Sequence, residues 1–155
     1  MIATYTLTGE LFEMYEFLRL TVADYMTRDP STVTPQASLA EAQALLEKLD
    51  VNGLPVVDAD GVFVGILTTI DIMRAFANSP SAIVPNYQEI MKRPVAAFMT
   101  KNPVTVQPDV PLNRVLGFLV QKGIRSLPVR DEEGRLVGIV AREDVLRGLR
   151  ESVRQ

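Results

Sequence analysis

The sequence contains no cysteine and no histidine. Without cysteine the chain cannot form a disulfide framework, a thiolate metal site or a thiol nucleophile. Without histidine it lacks the commonest general base and the commonest metal ligand. Asp, Glu and Lys chemistry remains, but we find no nucleophile–base pair, metal-binding cluster or P-loop beside it. We therefore expect that the protein is not an enzyme and has no metal site.

Basic stretches and long apolar runs are also missing. The formal net charge is −3 at pH 7, which gives no positive surface for nucleic acid or anionic membrane. No apolar run reaches the roughly eighteen residues of a membrane span. Glu10, Glu13, Glu16 and Arg19 interrupt the N-terminal region, so we expect no secretion signal. These features predict a cytoplasmic protein without membrane insertion or nucleic-acid binding.

The composition is that of an ordinary globular protein. The chain has 155 residues, of which 47% are hydrophobic and 23% charged. This length corresponds to one domain or to two very small ones packed together, and it suffices for a core without disulfides.

An internal repeat is the strongest feature of the sequence. When the chain is shifted by 73 positions, residues 22–74 and 95–147 share 20 identities in 53 pairs without a gap. The stretch "GILTTID" at 65–71 then aligns with "GIVARED" at 138–144. Chance would give only a few identities, so the pattern indicates duplication.

Each copy begins with a predicted strand and helix. The strands "STVT" and "VTVQ" end at Pro35 and Pro108, which lack the N–H that a ladder needs. In the first copy a helix begins at Ser38 with Glu41 three residues later, a capping-box pattern. In the second copy Pro111 lies near the first turn, where the missing N–H does no harm.

Two strands and a second helix complete each copy. The strands flank Asp60-Gly61 and Glu133-Gly134, which are hairpin signals, and the closing helices begin near Thr69 and Arg142. The fold class is therefore α/β (α+β), with two strand–helix–strand–strand–helix copies that pack as a pseudo-two-fold pair. A single copy is too small to bury both its sheet and its helices.

The repeat also sets the expected domain boundaries. We assign residues 1–21 to an N-terminal helical extension, 22–76 to the first copy, 77–94 to a linker and 95–150 to the second copy. A helix over residues 9–20 would carry an apolar side formed by Leu11, Met14, Tyr15 and Leu18. That helix either covers the core of the pair or takes part in a dimer contact.

The repeated motifs resemble a known family. The order M-T-x-x-P, L-P-V, D-G and G-I-x-T-x-x-D over residues 22–150 is similar to the cystathionine-β-synthase (CBS) domain, paired as in a Bateman module. The resemblance implies a regulatory module that binds an adenosine-containing ligand in the cleft between its copies. It also implies a homodimer, an effector protein of unknown identity and no required cofactor.

The junction of strand and helix carries the candidate ligand groups. Helix N-termini favour anions, Asp71 can accept two hydrogen bonds from a ribose diol, and Thr68 offers a hydroxyl to ribose or phosphate. The same Thr-x-x-Asp pattern is also a helix capping box without a ligand. The second copy keeps Asp144 but has Ala141, which cannot cap, in place of the threonine.

The resemblance adds further site residues to both clefts. The first site would comprise Thr32, Thr34, Gly53, Leu54, Pro55, Thr68, Asp71 and Arg125. The second site would comprise Thr105, Ser126, Leu127, Pro128, Arg142, Asp144 and Asn52. Arg125 would reach the phosphate of the first site, whereas Asn52 takes the corresponding place for the second site. Since the second site thereby has one hydroxyl and one charge fewer, unless Arg142 compensates, we expect it to be weaker, to take a different ligand or to be empty.

Two functions remain after this reasoning. The first is a stand-alone energy-sensing module that binds AMP, ADP or ATP, or S-adenosylmethionine, and signals to a partner by a change of conformation. The alternative is a structural dimerisation module whose clefts have degenerated and bind nothing.

Overall fold

The computed structural model describes residues 16–78 and 86–153. In the first part of the chain its elements are α1 Val22–Tyr25, β1 Thr27–Arg28, α2 Leu39–Leu49, β2 Gly53–Val57, β3 Phe63–Thr68 and α3 Thr69–Ala77. In the second part they are α4 Tyr87–Met91, a 3₁₀ helix Val95–Ala97, β4 Thr100–Lys101, α5 Leu112–Lys122, β5 Ser126–Arg130, β6 Leu136–Ala141 and α6 Arg142–Ser152. This order confirms the predicted alternation of strands and helices.

The chain forms two compact units that do not coincide with the two sequence copies. Unit 1 contains the described residues among 16–28, 105–133 and 137–153, whereas unit 2 contains those among 29–104 and 134–136. Unit 1 has a sheet in the order β1-β6-β5, and unit 2 has a sheet in the order β2-β3-β4. Each copy thus contributes its short first strand to the sheet that contains the hairpin of the other copy.

The position of these first strands differs from the prediction. The segments "STVT" and "VTVQ" form only single parallel bridges, Val33 with Val56 and Val106 with Val129. The strands themselves lie a few residues earlier, at Thr27–Arg28 and Thr100–Lys101. The ladder stops after Val33 because the next residue, Thr34, turns its carbonyl to the N–H of Ala37.

The helix α2 shows how local sequence sets its ends. The Ser38 side chain accepts a hydrogen bond from the Glu41 N–H at 3.1 Å, which satisfies an N–H that has no partner within the helix. The helix ends at Asp50, whose left-handed backbone has φ 52° and whose N–H donates to Glu47 and Leu46 carbonyls. Its buried side chains are Leu39, Ala42 and Leu46. The predicted N-cap is thereby confirmed.

The hairpin of β2 and β3 turns at Asp58 and Gly61. The Asp58 carboxylate accepts hydrogen bonds from the N–H groups of Asp60 and Val62, each at 2.9 Å. Gly61 has φ 79°, a conformation that costs a residue with a side chain more than glycine. The two strands on either side of this turn, β2 and β3, pair in antiparallel register, with Gly53 opposite Thr68.

Each unit has its own apolar core. The core of unit 2 comprises Val33, Leu39, Ala42, Leu46, Leu54, Val56, Leu67, Ile72, Ala75, Ile90, Met91 and Val95. The core of unit 1 comprises Phe17, Val22, Met26, Leu112, Val115, Leu119, Leu127, Val129, Val140 and Val145. Residues from both sequence copies contribute to each core.

Two glycines allow the short strands to approach the hairpins. A Cβ atom at Gly65 would lie 2.5 Å from the Thr100 carbonyl oxygen on β4. A Cβ atom at Gly138 would lie 2.8 Å from both the Thr27 carbonyl oxygen on β1 and the Met26 sulfur. Both distances are too short for real carbon atoms, so each repeat requires glycine where a strand from the other copy adds to its hairpin.

The N-terminal extension and the predicted linker are described only in part. Residues 16–19 are helical, whereas Leu11, Met14, Tyr15 and the linker prolines Pro80 and Pro85 lie outside the described residues. Of the predicted apolar side, Leu18 is the member among the described residues; it is 41% exposed, whereas its neighbour Phe17 belongs to the core of unit 1. In the predicted linker, Ile90 and Met91 of α4 are buried in unit 2.

Candidate functional site

The predicted groups of the first site from the first copy lie together in unit 2. Gly53, Leu54 and Pro55 are buried on β2, and Thr68 and Asp71 lie where β3 passes into α3. Thr32 and Thr34, which are exposed, flank Val33 where it bridges to β2. The Pro55 carbonyl accepts the Val33 N–H at 3.1 Å.

Asp71 is nearly inaccessible and fully hydrogen-bonded. Its residue surface is 3% exposed. The N–H and the hydroxyl of Thr68 both donate to Oδ2 at 2.9 Å. Arg74 and the Thr100 hydroxyl donate to Oδ1 at 3.3 and 3.4 Å. Since a carboxylate offers about four acceptor positions, all of them are occupied by the protein itself.

The capping box that the sequence suggested is present in the first copy. The Thr68 oxygen accepts the Asp71 N–H at 3.4 Å while Asp71 accepts the Thr68 N–H in return. The only proton of the Thr68 hydroxyl is donated to Asp71. Thr68 can therefore accept a hydrogen bond from a ligand but cannot donate one to a phosphate without releasing Asp71.

The predicted groups of the second site lie mainly in unit 1. Ser126, Leu127 and Pro128 form the beginning of β5, and the Pro128 carbonyl accepts the Val106 N–H at 3.1 Å, next to Thr105. Arg142 and Asp144 belong to the first turn of α6. The backbone hydrogen bonds of this arrangement repeat those of unit 2.

Asp144 differs from Asp71 in the number of its partners. It is 7% exposed and accepts the Ala141 N–H at 2.7 Å on Oδ2. Its other oxygen lies 3.4 Å from the Arg147 guanidinium. Burial raises the pKa of the Asp144 carboxyl, and this effect outweighs the Ala141 N–H and Arg147, which lower it.

The predicted residues Arg125, Arg142 and Asn52 each take part in a hydrogen bond. Arg125 is exposed in unit 1, and its carbonyl accepts the Arg142 N–H at 3.0 Å. The Arg142 side chain donates from Nε to the Ile124 carbonyl at 3.0 Å. Asn52 belongs to unit 2, where its carbonyl accepts the Thr69 N–H at 3.0 Å. The roles of Arg125 and Asn52 toward a ligand stay predictions.

Sequence reasoning missed the partners of both carboxylates. Arg74 and Arg147 occupy equivalent positions of the repeat, and each lies one helical turn after its aspartate. Thr100, which donates to Asp71, comes from the short strand of the other copy. The identity of both arginines under the 73-residue shift was a signal that could have revealed the ion pairs.

Exchanging each carboxylate for an amide is expected to have opposite effects on stability. A raised pKa in the folded state means that Asp144 contributes favourably below the unfolded pKa of about 3.9, and this contribution is lost as the pH rises through the folded pKa. At pH 7, Asp144→Asn should therefore raise the free energy of unfolding by about 0.5–1 kcal/mol. Urea unfolding at pH 7 and pH 4 measures this, and the gain should shrink at the lower pH.

The matched control is Asp71→Asn. Because an amide has only one acceptor oxygen, this change removes acceptors from the donors that Asp71 now satisfies and should cost about 1–3 kcal/mol. Equal destabilisation by both substitutions would contradict the prediction that burial makes the charged form of Asp144 unfavourable in the folded protein.

Neither a metal-binding cluster nor a membrane span is found in the part of the chain that the structure describes. Within residues 16–78 and 86–153 no three His, Cys, Asp or Glu side chains are grouped so that they could hold a metal ion. Over those residues no helix is both long and apolar enough to cross a membrane. The strand–helix junctions with their buried aspartates are thus the candidate site.

Comparison with known proteins gives one family and several solved relatives. The family model of the CBS domain matches residues 22–78 and again residues 89–151. The chain is 34% identical over 126 residues to L-aspartate semialdehyde sulfurtransferase of Methanocaldococcus jannaschii, which covers 81% of this chain but 22% of the relative. The chain thus spans about a fifth to a quarter of the length of the first curated relatives that it matches.

Two crystal structures with bound ligands are similar to this chain. CBSX2 of Arabidopsis thaliana in complex with AMP has a TM-score of 0.74 at 30% identity, over 86% of this chain and 98% of that one. The CBS domain pair of protein MJ0100, in complex with 5′-methylthioadenosine and S-adenosyl-L-methionine, has a TM-score of 0.69 at 34% identity, over 83% and 94%. With two family matches that together cover most of its length, and with these relatives, the chain belongs to the CBS domain family as a tandem CBS pair, or Bateman module.

Proposed function

We propose that the protein is a regulatory module that binds an adenosine-containing ligand, either a nucleotide of the AMP, ADP or ATP type or S-adenosylmethionine. One observation supports this above all: each repeat buries an aspartate at a junction of strand and helix, in a chain similar to proteins crystallised with AMP and with S-adenosyl-L-methionine. We further propose that it acts as a homodimer and signals to an effector protein by a change of conformation.

The chemistry of the junction suits a nucleoside. A carboxylate accepts hydrogen bonds from the two hydroxyls of a ribose, and the N-terminus of the following helix favours a phosphate. Leu54 on β2 and Leu127 on β5 are core side chains that are only 1% exposed, so a flat base would be recognised by the backbone groups beside them. An arginine near the site, Arg125 or Arg142, would pair with the phosphate through its planar donor group.

The hydrogen bonds that Asp71 accepts support a second function. All acceptor positions of Asp71 are taken by the protein's own donors, as expected of a site that has become purely structural. If Asp144 were also only a helix cap, the protein would be a dimerisation or interaction module without a ligand. Ligand binding distinguishes the two functions.

A thermal-shift panel tests the proposed function. At a free ligand concentration one hundred times the dissociation constant, binding adds about 2.7 kcal/mol to the stability. In a protein of this size the unfolding midpoint should rise by about 5–10 °C. The panel comprises AMP, ADP, ATP, adenosine, 5′-methylthioadenosine and S-adenosylmethionine, with GMP and inorganic phosphate as controls. No shift with any adenosine compound would leave the structural module as the function.

A further inference from the structure

The two repeats differ in how far the protein satisfies its own buried aspartate. Asp71 receives four donors, two on each oxygen. Asp144 receives the Ala141 N–H on one oxygen and the long contact from Arg147 on the other. At least two of its roughly four acceptor positions are open. Because Asp71 would have to release its own donors to accept ribose hydroxyls whereas Asp144 would not, Asp144 gains more from an added pair of hydroxyls than Asp71 does.

Arg147 connects Asp144 to α1, the first element of the first copy. Besides its contact with Asp144, one terminal nitrogen of Arg147 donates to the Tyr25 carbonyl at 3.1 Å. Its guanidinium also lies 5.3 Å from the centre of the Tyr25 ring. The Tyr25 hydroxyl in turn donates to Glu151 of α6 at 2.5 Å. A single arginine therefore shares its charge between the candidate ribose acceptor and the end of α1.

Unit 2 has no such connection among its described residues. Arg74, the repeat equivalent of Arg147, forms an ion pair with Asp71 at 3.3 Å. Phe98 takes the place of Tyr25 and has no hydroxyl to donate. It is Arg93, outside the motif, whose guanidinium lies over the Phe98 ring at 4.7 Å. The repeat positions are alike, but only unit 1 links the aspartate to α1.

We propose that the second site is the responsive one: ribose hydroxyls bound at Asp144 take the oxygen now shared with Arg147, and Arg147 then holds residues 22–28 more firmly. The proposal rests on the proposed function, since it presupposes an adenosine-containing ligand. It reverses the order of the two sites that the sequence suggested, and it names α1 and β1 as the segment that registers occupancy.

The physical step is a change of partners. In the free protein Arg147 divides its donors between Asp144 and the Tyr25 carbonyl, and the contact to Asp144 is the longer one at 3.4 Å. A ribose diol brings two neutral O–H donors that fill the open positions of the carboxylate. Arg147 keeps its contacts to Tyr25, where it caps the last turn of α1. The backbone hydrogen bonds of Val22 and Ala23 to Val110 and Pro108 should then open less often.

Affinity measurements test which aspartate takes the ribose. Isothermal calorimetry with AMP and with 5′-methylthioadenosine is carried out on the full chain, on Asp144→Asn and on Asp71→Asn. We expect Asp144→Asn to weaken both ligands by about tenfold or more and Asp71→Asn to weaken them by less than about threefold. Unfolding midpoints of each variant establish that the loss is not one of folding.

Hydrogen exchange tests the connection through Arg147. At saturating AMP the amides of residues 22–28 should exchange several-fold more slowly than in the free protein, relative to α5 of the same unit. Arg147→Met should abolish this added protection, whereas the matched change Arg74→Met should keep it. Because AMP is saturating, a change of affinity in either variant does not affect the comparison.

Each outcome decides between the proposals. If wild type binds neither AMP nor 5′-methylthioadenosine nor any other adenosine compound of the panel, the proposed function fails and this inference fails with it. If wild type binds but Asp71→Asn loses more affinity than Asp144→Asn, only the inference is overturned. Slower exchange at residues 22–28 that persists in Arg147→Met also overturns it.

Discussion

Replacing Gly65 by alanine is expected to lower the free energy of unfolding by about 2–3 kcal/mol. The added Cβ would lie 2.5 Å from the Thr100 carbonyl oxygen, and neither this backbone atom nor β3 can move without breaking the ladder to β4. The register places Gly65 opposite Lys101 and Ile66 opposite Thr100. Urea unfolding followed by circular dichroism measures the loss.

A glycine elsewhere in the chain provides the control. Gly117 lies within α5, and apart from its chain neighbours and the backbone of that helix no atom lies within 4 Å of where its Cβ would be, so Gly117→Ala should raise stability by about 0.5–1 kcal/mol through helix propensity. Gly138→Ala should behave like Gly65→Ala, since its Cβ would meet the Thr27 carbonyl oxygen and the Met26 sulfur. A neutral effect at Gly65 would contradict the close approach of β4 to β3.

A fragment cut at the boundaries of a structural unit should fold, whereas a fragment cut at the boundaries of a repeat copy should not. The fragment of residues 29–104 carries the whole core of unit 2 and its third strand β4. We expect it to unfold cooperatively in urea. The fragment of residues 22–78, which is the first family match and includes the whole first copy, lacks Ile90, Met91, Val95 and β4, and should show no cooperative transition.

Fragment length is the confounding factor, because smaller chains bury less surface. A fragment of residues 3–78 serves as the control, because it is equal in length to 29–104 and so removes the difference in chain length. If that control also unfolded cooperatively, with an m-value as large as that of 29–104, then the third strand and α4 would be unnecessary for the unit. An unfolded 29–104 would equally contradict the prediction.

Local features were predicted from the sequence with most success. Ser38 with Glu41 marked the start of α2, and Thr68 with Asp71 marked the start of α3, because a cap depends on residues only three positions apart. Asp60-Gly61 located the hairpin for the same reason, since a turn is specified by its own residues. The order of elements and the fold class followed from these signals and from the repeat.

The pairing of the short strands could not be predicted. Thr27 and Thr100 are equivalent in the repeat, and nothing in a two-residue strand states which hairpin it will join. The choice is made by contacts between residues far apart in sequence, such as Gly65 with Thr100. The predicted strands around Val33 and Val106 were misplaced because their composition suits a strand equally well.

The sequence nominated candidate residues, whose role toward a ligand stays a prediction, but it did not indicate the balance of charge and hydrogen bonds around them. Loss of the threonine at Ala141 pointed to a weaker second site when only ligand contacts were counted. The structure adds that the same hydroxyl, in the first copy, is a donor that the protein supplies to Asp71. Such a count requires the positions of Arg74, Thr100 and the buried aspartates, which depend on tertiary packing.

The exchange of first strands has a consequence for synthesis of the protein on the ribosome. Residues 29–104 emerge as one block that holds almost everything unit 2 needs, whereas residues 16–28 must wait for partners that are translated last. Until then residues 16–28 expose the apolar side chains of Phe17, Val22 and Met26, which can associate with other nascent chains. When residues 29–104 fold first, the segments of unit 1 before and after them are held closer together. Less entropy is then lost when these two segments join. Vectorial synthesis thus favours completion of unit 2 before unit 1.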